Sequence, residues 1–136
     1  LALFKDNGIR SFSKVLIAIR PGRRNKRFID VADKICRHFG ASLTLLNIVS
    51  EIDSNQKIKR TEKSSTELIS ETKSKSVVKI IKSNNPVEAI SEESASYDLL
   101  ILGTPEKDNW ISVLFGSGED RFVKKAACSV LRLTIK

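Results

Sequence analysis

The apolar residues of this chain follow two alternating rhythms. Short continuous runs are separated by stretches in which apolar residues recur every three or four positions. Lys14-Val-Leu-Ile-Ala-Ile-Arg20 is such a run, and its length and β-branched content predict a buried strand. Pro21-Gly22 breaks it. Phe28, Val31, Ala32, Ile35 and Phe39 then recur at helical spacing, with Gly40 placed to end that helix. Ser42–Val49 reads as a second strand, and Ser76–Ile81 as a third. Between them, residues 50–76 are rich in Ser, Lys, Glu and Thr. Leu68 and Ile69 anchor a short, mostly exposed helix from about Thr61 to Lys73, and the segment before it reads as a loop.

The second half is better punctuated. Asn85-Pro86-Val87-Glu88 predicts a helix start, with Asn as N-cap, Pro in the first turn and Glu reaching back; that helix runs to about Ser96. Asp98–Gly103 predicts a fourth strand. A loop from Thr104 to about Phe115 precedes Ser117, which caps a helix through Lys125, and Ser129–Ile135 predicts a fifth strand. Strands alternating with helices imply an α/β fold: a three-layer α/β/α sandwich around a five-stranded parallel sheet. Residues 1–12 read as a linker or the tail of an upstream element, and 13–136 as one domain. In such a sheet ligands sit beyond the carboxyl ends of the strands, where the strand order reverses. The loops to examine are Arg20–Arg27, Val49 onward, and Gly103–Ser117.

Composition narrows the classes. No apolar run approaches the ~18 residues of a membrane span, and no charged start followed by an apolar stretch marks a signal peptide. Net charge is +8, with Arg20, Arg23, Arg24, Lys26 and Arg27 in one loop. That cluster fits nucleic acid, anionic lipid, a phosphate ligand or simple solvation. Eight aromatics form no stacking platform beside it and no helix-turn-helix or zinc module is visible, which argues against nucleic acid. Cys36 and Cys128 lie among apolar residues and read as core side chains in a reducing compartment. With His38 alone and two distant cysteines, no metal site is expected. Trp110 in the Thr104–Phe115 loop reads as local packing.

The residues with chemical promise are Gly103, which ends a strand, and Gly116-Ser117-Gly118, which opens a helix. Glycine lets a ligand approach the backbone, and free amides at a helix start attract phosphate. The plain alternative is that Gly103 is a turn and Ser117 only a cap. In sequence the group reads Gly103-Thr-Pro-Glu106, nine further residues, then Gly116-Ser117. Together with Lys14–Val49, Tyr97–Leu133 and the Ala127-Cys128-Ser-Val130 approach to the last strand, this resembles a universal stress protein domain. The family's nucleotide signature is G-x2-G-x9-G-[S/T], so the first and third glycines and the hydroxyl are in register, and Glu106 replaces the second glycine. ATP-binding members usually carry Asp just after the first strand, and this chain has Arg20 there. Arg donates only, so it suits a phosphate or carboxylate where Asp would accept from ribose hydroxyls. A carboxylate at Glu106 beside phosphates is repulsive, and Arg20 pairing with Glu106 would close the cleft.

The resemblance implies the sheet order 3-2-1-4-5 and a cofactor-binding set. Ala18, Arg20 and Ile48 fall on the adenine and ribose side. Leu102, Gly103, Gly116, Ser117 and Gly118 fall on the phosphate side, with Glu106 altering it. For Ala18, Ile48 and Leu102 the alternative is core packing. It implies a cytoplasmic regulatory module, not an enzyme, that takes a nucleotide such as ATP or AMP, or another small anion, in a partly degenerate site. It implies a homodimer through Ser129–Ile135 and allows tethering, through a missing N-terminal region, to a membrane transporter or channel. The competing readings are a ligand-independent dimerisation or interaction domain and a weak nucleotide hydrolase. Against catalysis, the sequence has no Walker A motif and no motif-placed nucleophile–base pair.

Overall fold

The computed structural model describes residues 2–5, 12–18, 25–104 and 129–134. The described elements are strands β1 (Ala2–Lys5), β2 (Lys14–Ala18), β3 (Ser42–Val49), β4 (Ser76–Lys82), β5 (Leu99–Thr104) and β6 (Ser129–Thr134), with helix α1 (Asn25–Phe39) after β2, α2 (Asn55–Ile69) after β3 and α3 (Pro86–Ser94) after β4. The strands form one sheet in the order β1-β6-β5-β2-β3-β4. Strands β2 to β6 run parallel in the order that the family resemblance implies, 3-2-1-4-5 when counted from β2.

The sheet also holds a strand that the sequence reading did not contain. Ala2–Lys5 pairs antiparallel with β6, Ala2 opposite Leu133 and Lys5 opposite Val130. Part of the linker or tail expected over residues 1–12 is thus a strand, and four residues carry too little pattern to mark one in the sequence. Its pairing also changes the setting of the last strand. The outer edge of β6, expected to be free for a second copy, is taken by β1 of the same chain.

Alternation along the strands divides the core in two. On one face Val15, Ile17, Leu43, Leu45, Leu99 and Ile101 pack under Phe28, Ile29, Ala32 and Cys36 of α1, with Leu68 and Ile69 of α2 alongside. On the other, Leu16, Ala18, Leu46, Leu100 and Leu102 pack against Ile90 of α3, with Val87 beside it. Both faces of β2, β3 and β5 are therefore dry, as expected for the centre of a parallel sheet. The expected fourth helix, Ser117–Lys125, lies outside the described residues, as does Cys128.

Local signals explain the helix ends. Gly40 adopts φ +66° and the Ala41 amide donates to the Cys36 carbonyl at 2.8 Å, closing α1 in the left-handed turn that glycine tolerates best. The buried stripe of α1 is Phe28, Ile29, Ala32 and Cys36. Val31 and Ile35 lie only partly buried beside it, and Phe39 is 41% exposed, its ring edge-on to Phe12. Helix α2 differs most from expectation. It starts at Asn55 and ends at Ile69, not about Thr61 to Lys73. The Ser54 hydroxyl accepts from the Lys57 amide at 3.2 Å, and Lys57 Nζ reaches Asp53 at 3.1 Å. That cap, worth about 1 kcal/mol, starts a helix whose first turns are too polar to show a stripe. Its one fully buried residue is Ser65, which receives the Asn47 side-chain amide of β3 at 2.5 Å. A polar pair thus stands where an apolar contact would have marked the helix.

Candidate functional site

Strand order reverses between β2 and β5. From β2 the chain proceeds to β3 and β4 on one side, and from β5 to β6 on the other. Crossovers leave this point in opposite directions, so the carboxyl ends of β2 and β5 mark the place where ligands bind in sheets of this kind. Three predicted residues meet there. Ala18 is the last residue of β2, in register with Leu102 of β5 on one side and Leu46 of β3 on the other. Ala18 and Leu102 are buried, and the half-buried Ile48, two residues beyond Leu46, packs against the same cluster. Gly103 follows Leu102 in β5, opposite Leu133 of β6. The sheet therefore brings Ala18, Ile48, Leu102 and the Gly103 backbone to one rim. Arg20, Glu106, Gly116, Ser117 and Gly118 lie outside the described residues.

Ala18 and Leu102 are almost wholly covered and Ile48 is half-buried, so of the three Ile48 presents the apolar surface at this rim. Ala18 and Leu102 belong to the core cluster that includes Ile90 of α3, and Ile48 packs against that cluster.

Farther along the same rim, the loops after β3 and β4 are tied together. Asn84 Oδ1 accepts from the Ser50 hydroxyl at 3.2 Å and from the Glu51 amide at 3.3 Å. Its Nδ2 donates to Glu51 Oε2 at 3.0 Å. The Ser50 amide donates to Asp53 at 3.0 Å. The Lys57 ammonium beside Asp53 holds that carboxyl below its ordinary range, against the pull of burial and with help from the Ser50 amide. Sequence reasoning named the loop from Val49 onward but missed Asn84. The only local signal was the Ser83-Asn84-Asn85 polar cluster, and its partners lie more than thirty residues away.

The cap at Asn85 is a variant of the expected one. Asn85 Oδ1 accepts from the Glu88 amide at 3.3 Å, but Glu88 takes the Asn85 side-chain amide at 3.1 Å. The Asn85 backbone amide donates instead to the Ser83 hydroxyl at 3.0 Å. Between this turn and β4 lies an open cleft lined by Ile81, Lys82, Ser83, Glu88, Ala89, Glu92 and Glu93. Three carboxylates against one ammonium disfavour a phosphate ligand, and the cleft is not at the reversal point. Glu93 is already engaged by Lys79.

Opposite the rim, where strands enter the sheet, carboxylates take over. Asp98 accepts from the Ser13 amide, the Ser13 hydroxyl and the Lys14 amide, each at 2.9 Å. The Ser13 amide is the main reason its pKa is lowered, with the Lys14 amide and Ser13 hydroxyl adding to it and burial opposing. Asp33, 7% exposed on α1, accepts from the Lys73 and Ser74 amides and from the Ser74 hydroxyl at 2.5 Å. Burial pushes its pKa up, but the Ser74 and Lys73 bonds and the nearby Arg37 overcome it, so the net shift is downward. Burial pushes the Cys36 thiol up to about 11, which makes it an inert core group. His38 is exposed at the end of α1, edge-on to Phe39. Among the described residues no cluster of His, Cys, Asp or Glu could hold a metal ion. Nor is any described helix long and apolar enough to cross a membrane.

With this geometry in view, comparison with known proteins is decisive. The family model described as the universal stress protein family matches residues 11–133. The chain belongs to the universal stress protein family. No curated protein is significantly similar to it in sequence. Solved universal stress proteins share its fold. One from Lactobacillus plantarum is 16% identical, with TM-score 0.66, the match covering 94% of this chain and 100% of that one. One solved in complex with cAMP is 17% identical with TM-score 0.69, covering 91% of this chain and 98% of that one. One from Archaeoglobus fulgidus in complex with dAMP is 16% identical with TM-score 0.64, over 91% and 98%. For this universal stress protein, likeness at such identities speaks for the fold alone.

Proposed function

We propose that this universal stress protein domain is a regulatory module that binds an adenine nucleotide at the rim between β2 and β5. Its phosphate side is altered from the family pattern. The observation that carries this reading is the convergence of Ala18, Ile48 and Leu102, with Gly103 next in line, at the point where strand order reverses. Relatives of the same fold solved with cAMP and dAMP support an adenine nucleotide with one phosphate as a ligand. The chain's own chemistry weighs against a triphosphate. Glu106 stands where the signature has a glycine, and its carboxylate would meet the outer phosphates of ATP. Arg20, where ATP-binding members have an acceptor, favours one compact anion. The domain binds and reports and does not turn over its ligand. It works in the cytoplasm, either free or tethered to a membrane transporter.

Calorimetric titration with AMP, cyclic AMP, ADP and ATP tests the reading. Micromolar binding of a monophosphate, with ATP weaker, is the expected result. No heat from any of the four overturns it. Glu106→Gly is expected to raise ATP affinity about tenfold, the scale of one relieved charge repulsion near a surface. Turnover of bound ATP would instead favour hydrolysis.

A further inference from the structure

Strand β6 has β5 on one side and β1 on the other. Its pairing with β5 runs parallel along Ser129–Thr134, and its pairing with β1 runs antiparallel along Val130–Leu133. Every other neighbouring pair in the sheet is parallel. We propose that β1 is an internal cover for the outer edge of β6, occupying the place that β6 of a second copy would otherwise take.

The argument is one of backbone geometry. Without β1, the outer edge of β6 presents a row of unpaired N–H and C=O groups, a template for another strand. Two copies related by a two-fold axis set their β6 strands antiparallel across such an edge. β1 already lies antiparallel there, so it uses the same backbone groups in the same sense. The two occupancies exclude each other. β1 contributes four residues, whereas β6 has six to offer a mate. A symmetric pairing centred on Leu131 places Leu131 opposite its counterpart and Arg132 opposite Val130, which avoids a direct Arg–Arg pair.

The shorter pairing prevails because it is intramolecular. β1 belongs to the same chain, and a short tether holds a segment at an effective concentration of about millimolar. A dimer through this edge requires both copies to release β1, so its apparent Kd is the intrinsic value divided by the square of the uncovered fraction. β1 therefore acts as an autoinhibitory contact: whatever binds or pulls residues 2–5 uncovers a dimerising edge. This inference does not depend on what the β2–β5 rim binds.

Light scattering after size exclusion, over a range of concentrations, compares the parent chain with Leu3→Pro/Phe4→Pro. Adjacent amides of a strand point to opposite sides, so one of the two prolines removes a bond to β6 whichever way β1 is phased. The parent is expected to be monomeric where the variant is dimeric, with an apparent Kd at least ~tenfold lower for the variant. Equal masses at every concentration overturn the proposal. Hydrogen exchange on the parent gives a reading free of any folding defect in the variant. Alternate amides of Val130–Leu133 that face away from β5 should be protected, and rapid exchange at those amides overturns it. In the variant dimer the same amides should be protected again, now by the second β6. If they are open, the dimer uses another surface and the proposal fails.

Discussion

The strands of this sheet are held differently where they begin and where they end. At the beginnings, ionised carboxylates grip backbone amides. Asp98 holds Ser13 and Lys14 as the chain enters β2, and Asp33 holds Lys73 and Ser74 just before β4. At the ends, the loops after β3 and β4 are joined to each other by the neutral amide of Asn84, on exposed bonds of 3.0 to 3.3 Å, while Asp53 holds the Ser50 amide only within its own loop. A charged acceptor with several donors is a stiff fastening, and a neutral amide near water is a soft one. The difference teaches where this domain keeps its freedom. On this reading the clasps between distant segments are expected to be firmer at the end away from the candidate site than at its rim.

The comparison can be broken most readily at Asp33. Asp33→Ala leaves two backbone amides and one hydroxyl without their buried acceptor, and is expected to cost about 3 kcal/mol in urea unfolding. A cost near zero would show that these bonds are replaced by water. Asp98→Ala, whose acceptor is less deeply buried, should cost about 2 kcal/mol, with hydrogen exchange rising first at Ser13 and Lys14. If exchange rises instead across the whole sheet, Asp98 is not a local fastening.

Acid sharpens the contrast. Both carboxyls have folded pKa values below their ordinary ones. The unfolded chain therefore binds protons first as pH falls. Their contribution is complete above the ordinary carboxyl range near pH ~4 and is lost as pH drops through the lowered folded values. The urea midpoint should fall between pH 7 and pH 3. The fall should shrink in Asp33→Asn/Asp98→Asn, and an unchanged pH dependence in that variant would remove these two groups as its source. The smallest effect is expected at the rim. Asn84→Ala should cost less than about 1 kcal/mol, because its partners are reachable by water, yet it should loosen residues 50–53 and 83–85 to exchange. A cost as large as that of Asp33→Ala would end the distinction between a stiff and a soft end.

Much of this was legible along the chain, and the misses have physical causes. The strands at Lys14, Ser42 and Leu99 announced themselves because a strand dry on both faces must be apolar throughout, and the edge strand at Ser76 through its β-branched run. The start of α3 was legible because capping chemistry is local, although Asn85 and Glu88 use a different pair of atoms from those expected. Helix α2 was misplaced at both ends, because Ser65 and Asn47 satisfy each other across the core and interrupt the apolar rhythm. Ala18, Ile48 and Leu102 were named from family likeness, while periodicity marked them only as core. In the structure they are core residues that also stand at the rim.

By itself the sequence determined the alternation of strand and helix, the apolar character of the central sheet, the stop at Gly40 and the start at Asn85. Each depends on residues within a few positions of one another. Only the tertiary structure decided that β1 closes the edge of β6, that Asp33 and Asp98 clasp segments forty and eighty-five residues away, and that Asn84 bridges two loops. A hydrogen bond depends on distance in space, and a sequence records distance only along the chain.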